Sequence, residues 1–259
     1  QRFSANASKS KQATSRAKQL EKLQFVDLPA SSRKYPFVQF DIKREAGKDI
    51  LKIEKLSKEI DGVKFLDNID LVVNKNDKIA FISDSDLAIT TLFQILAKEI
   101  EPDKGTFTWG VTTSMSYFPS DNTKYFSDGT LDLVNWLRQY SEDQYESFLR
   151  GFLGKMLFSG DEALKKANVL SGGEKVRCML AKMMLSGANI LVLDGPTSHL
   201  DLESISAVNE GLTRYKGNLL FASHDHEFIQ TIANRIVVLN KGKIVFDKET
   251  TYDEYLETL

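Results

Sequence analysis

Leu170-Ser171-Gly172-Gly173-Glu174-Lys175-Val176-Arg177-Cys178-Met179-Leu180-Ala181-Lys182-Met183-Met184 is the stretch on which the fold turns. Val176, Met179, Leu180, Met183 and Met184 recur at the spacing of one helical face, so a helix opens at the glycines. A serine and two glycines at a helix start leave backbone N–H groups uncovered, an arrangement that receives anions. The plainer alternative is a serine N-cap followed by a glycine turn, and these residues alone do not separate the two.

Their setting does. Asp194 stands 23 residues after Ser171, at the end of the apolar run Ile190-Leu191-Val192-Leu193. A carboxylate at a strand tip can hold Mg²⁺ through water. Gly195-Pro196-Thr197-Ser198-His199-Leu200-Asp201 follows, and 30 residues beyond Asp194 another strand ends in Ser223-His224-Asp225. All three segments fall at strand tips or helix starts, where a doubly wound sheet gathers its ligands.

Working outward, Ile79-Ala80-Phe81-Ile82, Leu219-Leu220-Phe221 and Ile236-Val237-Val238-Leu239 share the composition of strands buried on both faces. Helical patterns near 90–98, 172–186, 202–214 and 226–233 lie between or beside them. The alternation predicts an α/β fold with a mostly parallel sheet, and the block at about 128–185 predicts a helical subdomain. Residues 4–24 have no Pro or Gly and predict an exposed helix, and Leu28 to Pro36 predicts a connector. The expected division is a basic linker over 1–36 and one domain over 37–259.

Net charge is −2, but residues 1–24 carry six basic side chains and one acid, a local +5 that leaves −7 for the rest. A basic arm before an acidic body is compatible with a polyanionic partner or with a solvated helix. One cysteine, Cys178, rules out an internal disulfide, and with no signal peptide in view a reducing cytoplasm is expected. No apolar run approaches the roughly 20 residues that span a bilayer, so no membrane contact is expected. The first residue is Gln1, which predicts a piece of a longer chain.

Over 37–259 the sequence resembles the ABC ATPase family. Leu170-Ser171-Gly172-Gly173-Glu174 is similar to its signature loop, and Ile190 to Asp194 to its Walker B strand. Ser198-His199-Leu200-Asp201 resembles its D-loop, and His224 its switch histidine. Glu174 with Lys175-Val176-Arg177, and Ser198-His199-Leu200-Asp201, resemble the soluble F subclass that acts on ribosomes. So do Arg2-Phe3-Ser4-Ala5-Asn6-Ala7-Ser8-Lys9 and Tyr252-Asp253-Glu254-Tyr255-Leu256. The resemblance implies a P-loop-like parallel core, an antiparallel β-subdomain and a helical signature subdomain. It also implies ATP and Mg²⁺ as ligands, with Thr90 and Asp194 on the metal and Asp194 and His224 in catalysis. A sister ABC domain would lie N-terminal in the same chain.

The resemblance breaks at one place. Where the family has G-x-x-x-x-G-K-[ST], this chain has Ser83-Asp84-Ser85-Asp86-Leu87-Ala88-Ile89-Thr90-Thr91. Ser83, Asp86 and Ala88 replace three glycines, and Ile89 replaces the lysine that reaches the β/γ-phosphates. A Cβ where the backbone needs positive φ costs about 1–2 kcal/mol. Asp84 and Asp86 would each repel a phosphate charge by roughly 3 kcal/mol at ~6 Å and an effective dielectric of ~20. Gly195 stands where the family has its catalytic glutamate, Ser120 where it has its metal-contacting glutamine, and Ile60 where an aromatic stacks on adenine.

In this family two domains sandwich two nucleotides, each site joining one domain's phosphate loop to the other's signature loop. The losses all fall on the site built on 83–91, whereas Ser171, Gly172, Gly173 and Glu174 serve the opposite site, with Asp201 in the adjoining D-loop. The expected function is half of an ATPase acting on the ribosome in translation, the basic arm meeting ribosome or tRNA, with one degenerate and one working site. The alternatives are the ATP-binding subunit of a transporter and a non-catalytic interaction module.

Overall fold

The structure, a computed structural model, describes residues 35–259, which form one compact unit. The expected basic helix and most of the connector lie outside the described residues.

Six strands form the main sheet in the order β5-β6-β7-β3-β8-β9, where β3 is Lys78–Ser83, β5 Met115–Phe118, β6 Ile190–Asp194, β7 Asn218–Ala222, β8 Arg235–Asn240 and β9 Lys243–Lys248. Every pairing from β5 to β8 is parallel, and only β9 runs antiparallel. A second sheet of three antiparallel strands has the order β2-β1-β4, with β1 Asp49–Ile60, β2 Val63–Asn74 and β4 Lys104–Trp109. Asp61 and Gly62 turn β1 into β2 with φ of 51° and 79°, the left-handed pair a two-residue hairpin needs.

Strand periodicity divides the interior in two. Ile79, Phe81, Ile190, Val192, Leu220 and Val237 point to the face covered by the three-stranded sheet and by α1 (Asp86–Leu96). Ala80, Leu191, Leu193, Leu219, Phe221 and Ile236 point to the other, beneath α4 (Gly172–Ser186), α5 (Leu202–Arg214) and α6 (His226–Ile232). Helices α2 (Leu133–Arg138) and α3 (Glu146–Lys155), with 3₁₀ turns at Gly160–Leu164 and Ala167–Val169, fill the block expected to be helical. Helix α7 (Tyr252–Leu256) closes the chain, its Tyr255 packed on Phe246 of β9.

The four buried strands expected from sequence are present, and α4 starts and stops as its residues dictate. Ser171 and Glu174 form a reciprocal capping box, and Gly187 ends the helix with φ 61°. One expectation fails. The segment 83–91 is not an open loop with its helix starting near residue 90, because α1 begins at Asp86 on N-cap Ser85. No residue from 83 to 91 has a positive φ, so the strain expected of a Cβ at the glycine positions does not arise. The backbone of 86–89 is an ordinary helical turn.

Candidate functional site

The carboxyl ends of β3, β6 and β7 open onto a cavity of about 290 Å³, lined among others by Ser83, Asp86, Ile89, Thr90, Ser120, Asp194, Gly195 and His224. That is near the lower end of volumes that hold small ligands. A larger cavity of about 1020 Å³ lies beside Phe40, Lys75, Tyr215 and Asn218, away from every residue the sequence singled out. Volume does not decide between them; the gathered polar groups do.

Asp194 ends β6 and is only 6% exposed. Its Oδ2 accepts a 2.7 Å hydrogen bond from the hydroxyl of Thr90, and the Ser120 hydroxyl and N–H also face it. Burial pushes the Asp194 carboxyl above the ordinary carboxylate range; Thr90 and Ser120 offset part of that, and the charge of Asp86 adds to it. A hydroxyl beside a carboxylate is oxygen-donor chemistry of the kind that suits Mg²⁺. These two residues fit the ion.

The segment 83–91 offers a triphosphate neither a lysine nor left-handed backbone. Ile89 is 3% exposed, packs in the core with Leu92 and Phe93 and presents only an apolar side chain to the cavity, and Ala88 is buried on the same helix. Thr91, also buried, donates its hydroxyl to Leu87 O at 2.6 Å. Asp86 lies 3.2 Å from His224 Nε2, both side chains exposed, and Asp84 accepts the Lys241 N–H at 3.3 Å. The expected repulsion therefore comes from aspartates that already have partners, and no cation takes the place of the missing lysine among the residues lining this cavity.

Gly195 has φ 63°, and its N–H donates to Ala222 O at 3.1 Å. The position read as missing a glutamate is thus left-handed, a conformation that strains any side chain by about 1–2 kcal/mol. Sequence reasoning missed that constraint.

A second pocket of about 160 Å³ shares Ser120, Gly195 and Ser198 with the first and adds Gly172, Lys175 and His199. The signature and D-loop segments therefore meet within one chain. His199, a non-glycine with φ 65°, lies against both glycines: a Cβ on Gly172 would meet its ring at 3.2 Å, and one on Gly173 its carbonyl oxygen at 2.8 Å. The glycines are needed for this close approach as well as for any anion. Histidine tolerates the left-handed region better than most side chains, which is the one sequence signal that could have pointed to this turn. Asp201 caps α5, its Oδ1 accepting the Ser204 N–H at 2.8 Å. Ser171 and Gly172 are exposed at the start of α4, so the helix end is open to a partner.

Family models described as ABC transporter match residues 66–198 and 1–40. The chain is 65% identical over 257 residues to YkpA of Bacillus subtilis (strain 168), an uncharacterized ABC transporter ATP-binding protein, covering 99% of this chain and 47% of that one. It is 38% identical to YbiT of Escherichia coli O157:H7, a probable ATP-binding protein, over 99% of this chain and 48% of that one. To the Uup-like ATP-binding protein of Haemophilus influenzae it is 32% identical, over 76% of this chain and 43% of the relative. The chain thus spans about half the length of the curated relatives it matches. Its fold is similar to the solved dimeric structure of MJ0796, a bacterial ABC transporter cassette, with a TM-score of 0.65 at 16% identity over 77% of this chain and 98% of that one. With that fold and a family match across more than half its length, this chain belongs to the ABC family, as an ATP-binding cassette domain.

Proposed function

We propose that this chain is the C-terminal half of an F-subclass ABC protein that works on the ribosome in the cytoplasm, in which the strand-tip site has lost triphosphate binding and the signature turn serves ATP held by an N-terminal sister domain. The observation that carries the reading is a contrast between two helix starts. Helix α1 buries Ile89 and ties Thr90 to Asp194, whereas α4 begins on exposed Ser171 and Gly172. Support for the subclass comes from Glu174, from Ser198-His199-Leu200-Asp201 and from relatives such as the Uup-like protein. The basic arm supplies sequence-independent, salt-sensitive phosphate contacts to rRNA or tRNA.

In this reading a nucleotide on the sister domain is closed over by the α4 N-terminus, whose N–H groups and helix dipole stabilise its phosphate. Asp194 and His224 then keep a structural role through Thr90 and Asp86, and Thr90 and Asp194 would hold Mg²⁺ only weakly. Among the described residues no helix is long and apolar enough to cross a membrane. A transporter subunit would need a separate membrane partner, and no residue described above favours one. The closed Thr90–Asp194 pair does favour a second reading, a non-catalytic interaction module.

The two separate in the full-length protein. Ser171→Arg fills the space in front of α4 and is expected to lower ATPase activity at least tenfold, about 1.4 kcal/mol of transition-state stabilisation. Asp86→Ala, at the strand-tip site, is expected to change it less than about threefold. Activity is measured with and without ribosomes, alongside ribosome cosedimentation that weakens as salt rises. Equal losses in the two variants would overturn the one-working-site reading; no ATPase activity in the parent protein would favour the module.

A further inference from the structure

The turn that is to receive an anion carries a carboxylate of its own. Glu174 is the third residue of α4, and its Oε2 accepts the Ser171 N–H at 2.9 Å and the Ser171 hydroxyl at 2.8 Å. The Glu174 N–H returns to Ser171 Oγ at 3.4 Å. This capping box stabilises the helix, since a negative charge suits the positive end of the dipole. The same charge opposes a phosphate approaching that end, and the serine hydroxyl that could donate to the phosphate is committed to Glu174.

The structure answers that charge. Lys165 Nζ donates to Glu174 Oε1 at 2.9 Å, on the carboxylate oxygen facing away from the capping box. Its other acidic neighbour, Glu162, is 3.9 Å away, and Arg177 lies near enough to oppose its charge. The backbone fixes where the ammonium sits. The Lys165 carbonyl accepts the Leu133 N–H of α2 at 3.1 Å, and Lys166 bridges to Asp132. Burial raises the Glu174 carboxyl, but the Lys165 and Ser171 hydrogen bonds outweigh it and hold it at about 2, so the group stays ionised at any physiological pH.

We propose that Lys165 is a positioning residue of the signature turn: its ammonium neutralises Glu174 and holds that carboxylate in the capping box, so that the turn can take up a nucleotide phosphate. The proposal rests on the reading given above, in which the turn acts on ATP of the sister domain. Its distinguishing feature is that the need for Lys165 depends on the charge at residue 174. A lysine that merely pins the strap 160–169 to α4 would matter equally beside a glutamine.

The test is a four-way comparison of ATPase kcat/KM in the full-length protein: parent, Lys165→Met, Glu174→Gln and the double variant. Lys165→Met is expected to lose about tenfold or more, the size of one charge-assisted hydrogen bond. Between Glu174→Gln and the double variant the same change is expected to cost less than about threefold. Lys165→Arg, which keeps the charge, is expected to stay within about threefold of the parent. Thermal unfolding of each variant monitors folding, and Lys165→Gln replaces Lys165→Met should the latter not fold. Equal losses in both backgrounds, or no loss in either, would overturn the proposal. Ser171→Arg keeps this outcome apart from failure of the parent reading: if it abolishes activity while Lys165→Met does nothing, only the role of Lys165 is lost.

Discussion

Ile89 packs with Leu92, Phe93 and Ile95 between α1 and the sheet and also lines the cavity beside Asp194, so a lysine placed there would lead its stem through an apolar layer before its ammonium met polar groups. A fully buried lysine is shifted by about 3–5 units, and each unit is about 1.4 kcal/mol. Ile89→Lys is therefore expected to destabilise the chain in urea unfolding, by less than the roughly 4 kcal/mol of a fully buried lysine because Asp86 and Asp194 line the same cavity, and to leave ATP affinity no higher in calorimetry. Tight binding gained by that single change would show that α1 can unwind its first turn at little cost. Gly195 makes the same point through the backbone, since a glutamate there would stand at φ 63°. That isoleucine stands where the family has a lysine was read from the sequence by resemblance. The burial of Ile89 was not, because the register of a helix against a sheet is settled by the packing of both.

At the scale of the element, legibility followed the strength of the local signal. Strands β3, β6, β7 and β8 announce themselves by apolar runs, and α4 by its periodic methionines and by Ser171 three residues before Glu174. Helix α1 starts four residues before its expected position because Ser85-Asp86-Leu87 suits a first turn as well as a loop, Asp86 being favourable near a helix N-terminus. The sheet edge held a further surprise. Arg235 of β8, 9% exposed, donates to Asp77 Oδ2 at 2.7 Å and binds Asp247 of β9 through two bonds of 2.7 and 2.8 Å. It also donates to Val72 O at 2.9 Å, so one guanidinium ties β2, the turn after it, β8 and β9. Removing one partner from a buried ion cluster typically costs about 3–5 kcal/mol. Arg235→Leu is expected to lower stability by that amount in chemical denaturation, and Asp247→Asn by less, because Asp77 keeps its bond. A neutral Arg235→Leu would mean that the cluster only balances its own desolvation.

For the whole molecule, the sheet works as a partition with a separate apolar layer on each face, and it is at its carboxyl edge that Asp194, Gly195 and the D-loop come together. The sequence located that edge, because three motifs of fixed spacing each end a strand or start a helix there. It did not reveal that His199 joins the D-loop to the signature glycines, a contact between residues 26–27 positions apart that only the fold creates. The isolated chain is expected to turn over ATP below detection, against rates of about 1–10³ s⁻¹ ordinary for enzymes. Phosphate release at saturating ATP measures this, and turnover in that range abolished by Asp194→Asn would place a working site on this half alone.

The added turn at the start of α1 also bears on what point mutation can do to this protein over generations. Restoring lysine at 89 buries a charge, and restoring glycine at 86 removes the partner of His224 and weakens the helix. Glycine at 88 weakens the helix too, and a glutamate at 195 meets left-handed backbone. Each step toward a glycine–lysine loop is disfavoured by itself, and no one of them supplies the phosphate contact that would reward it. In the proposed arrangement of two unequal sites, a lineage carrying this sequence reaches a glycine–lysine loop only across several unfavourable intermediates, which makes such a division of labour easy to keep and hard to undo.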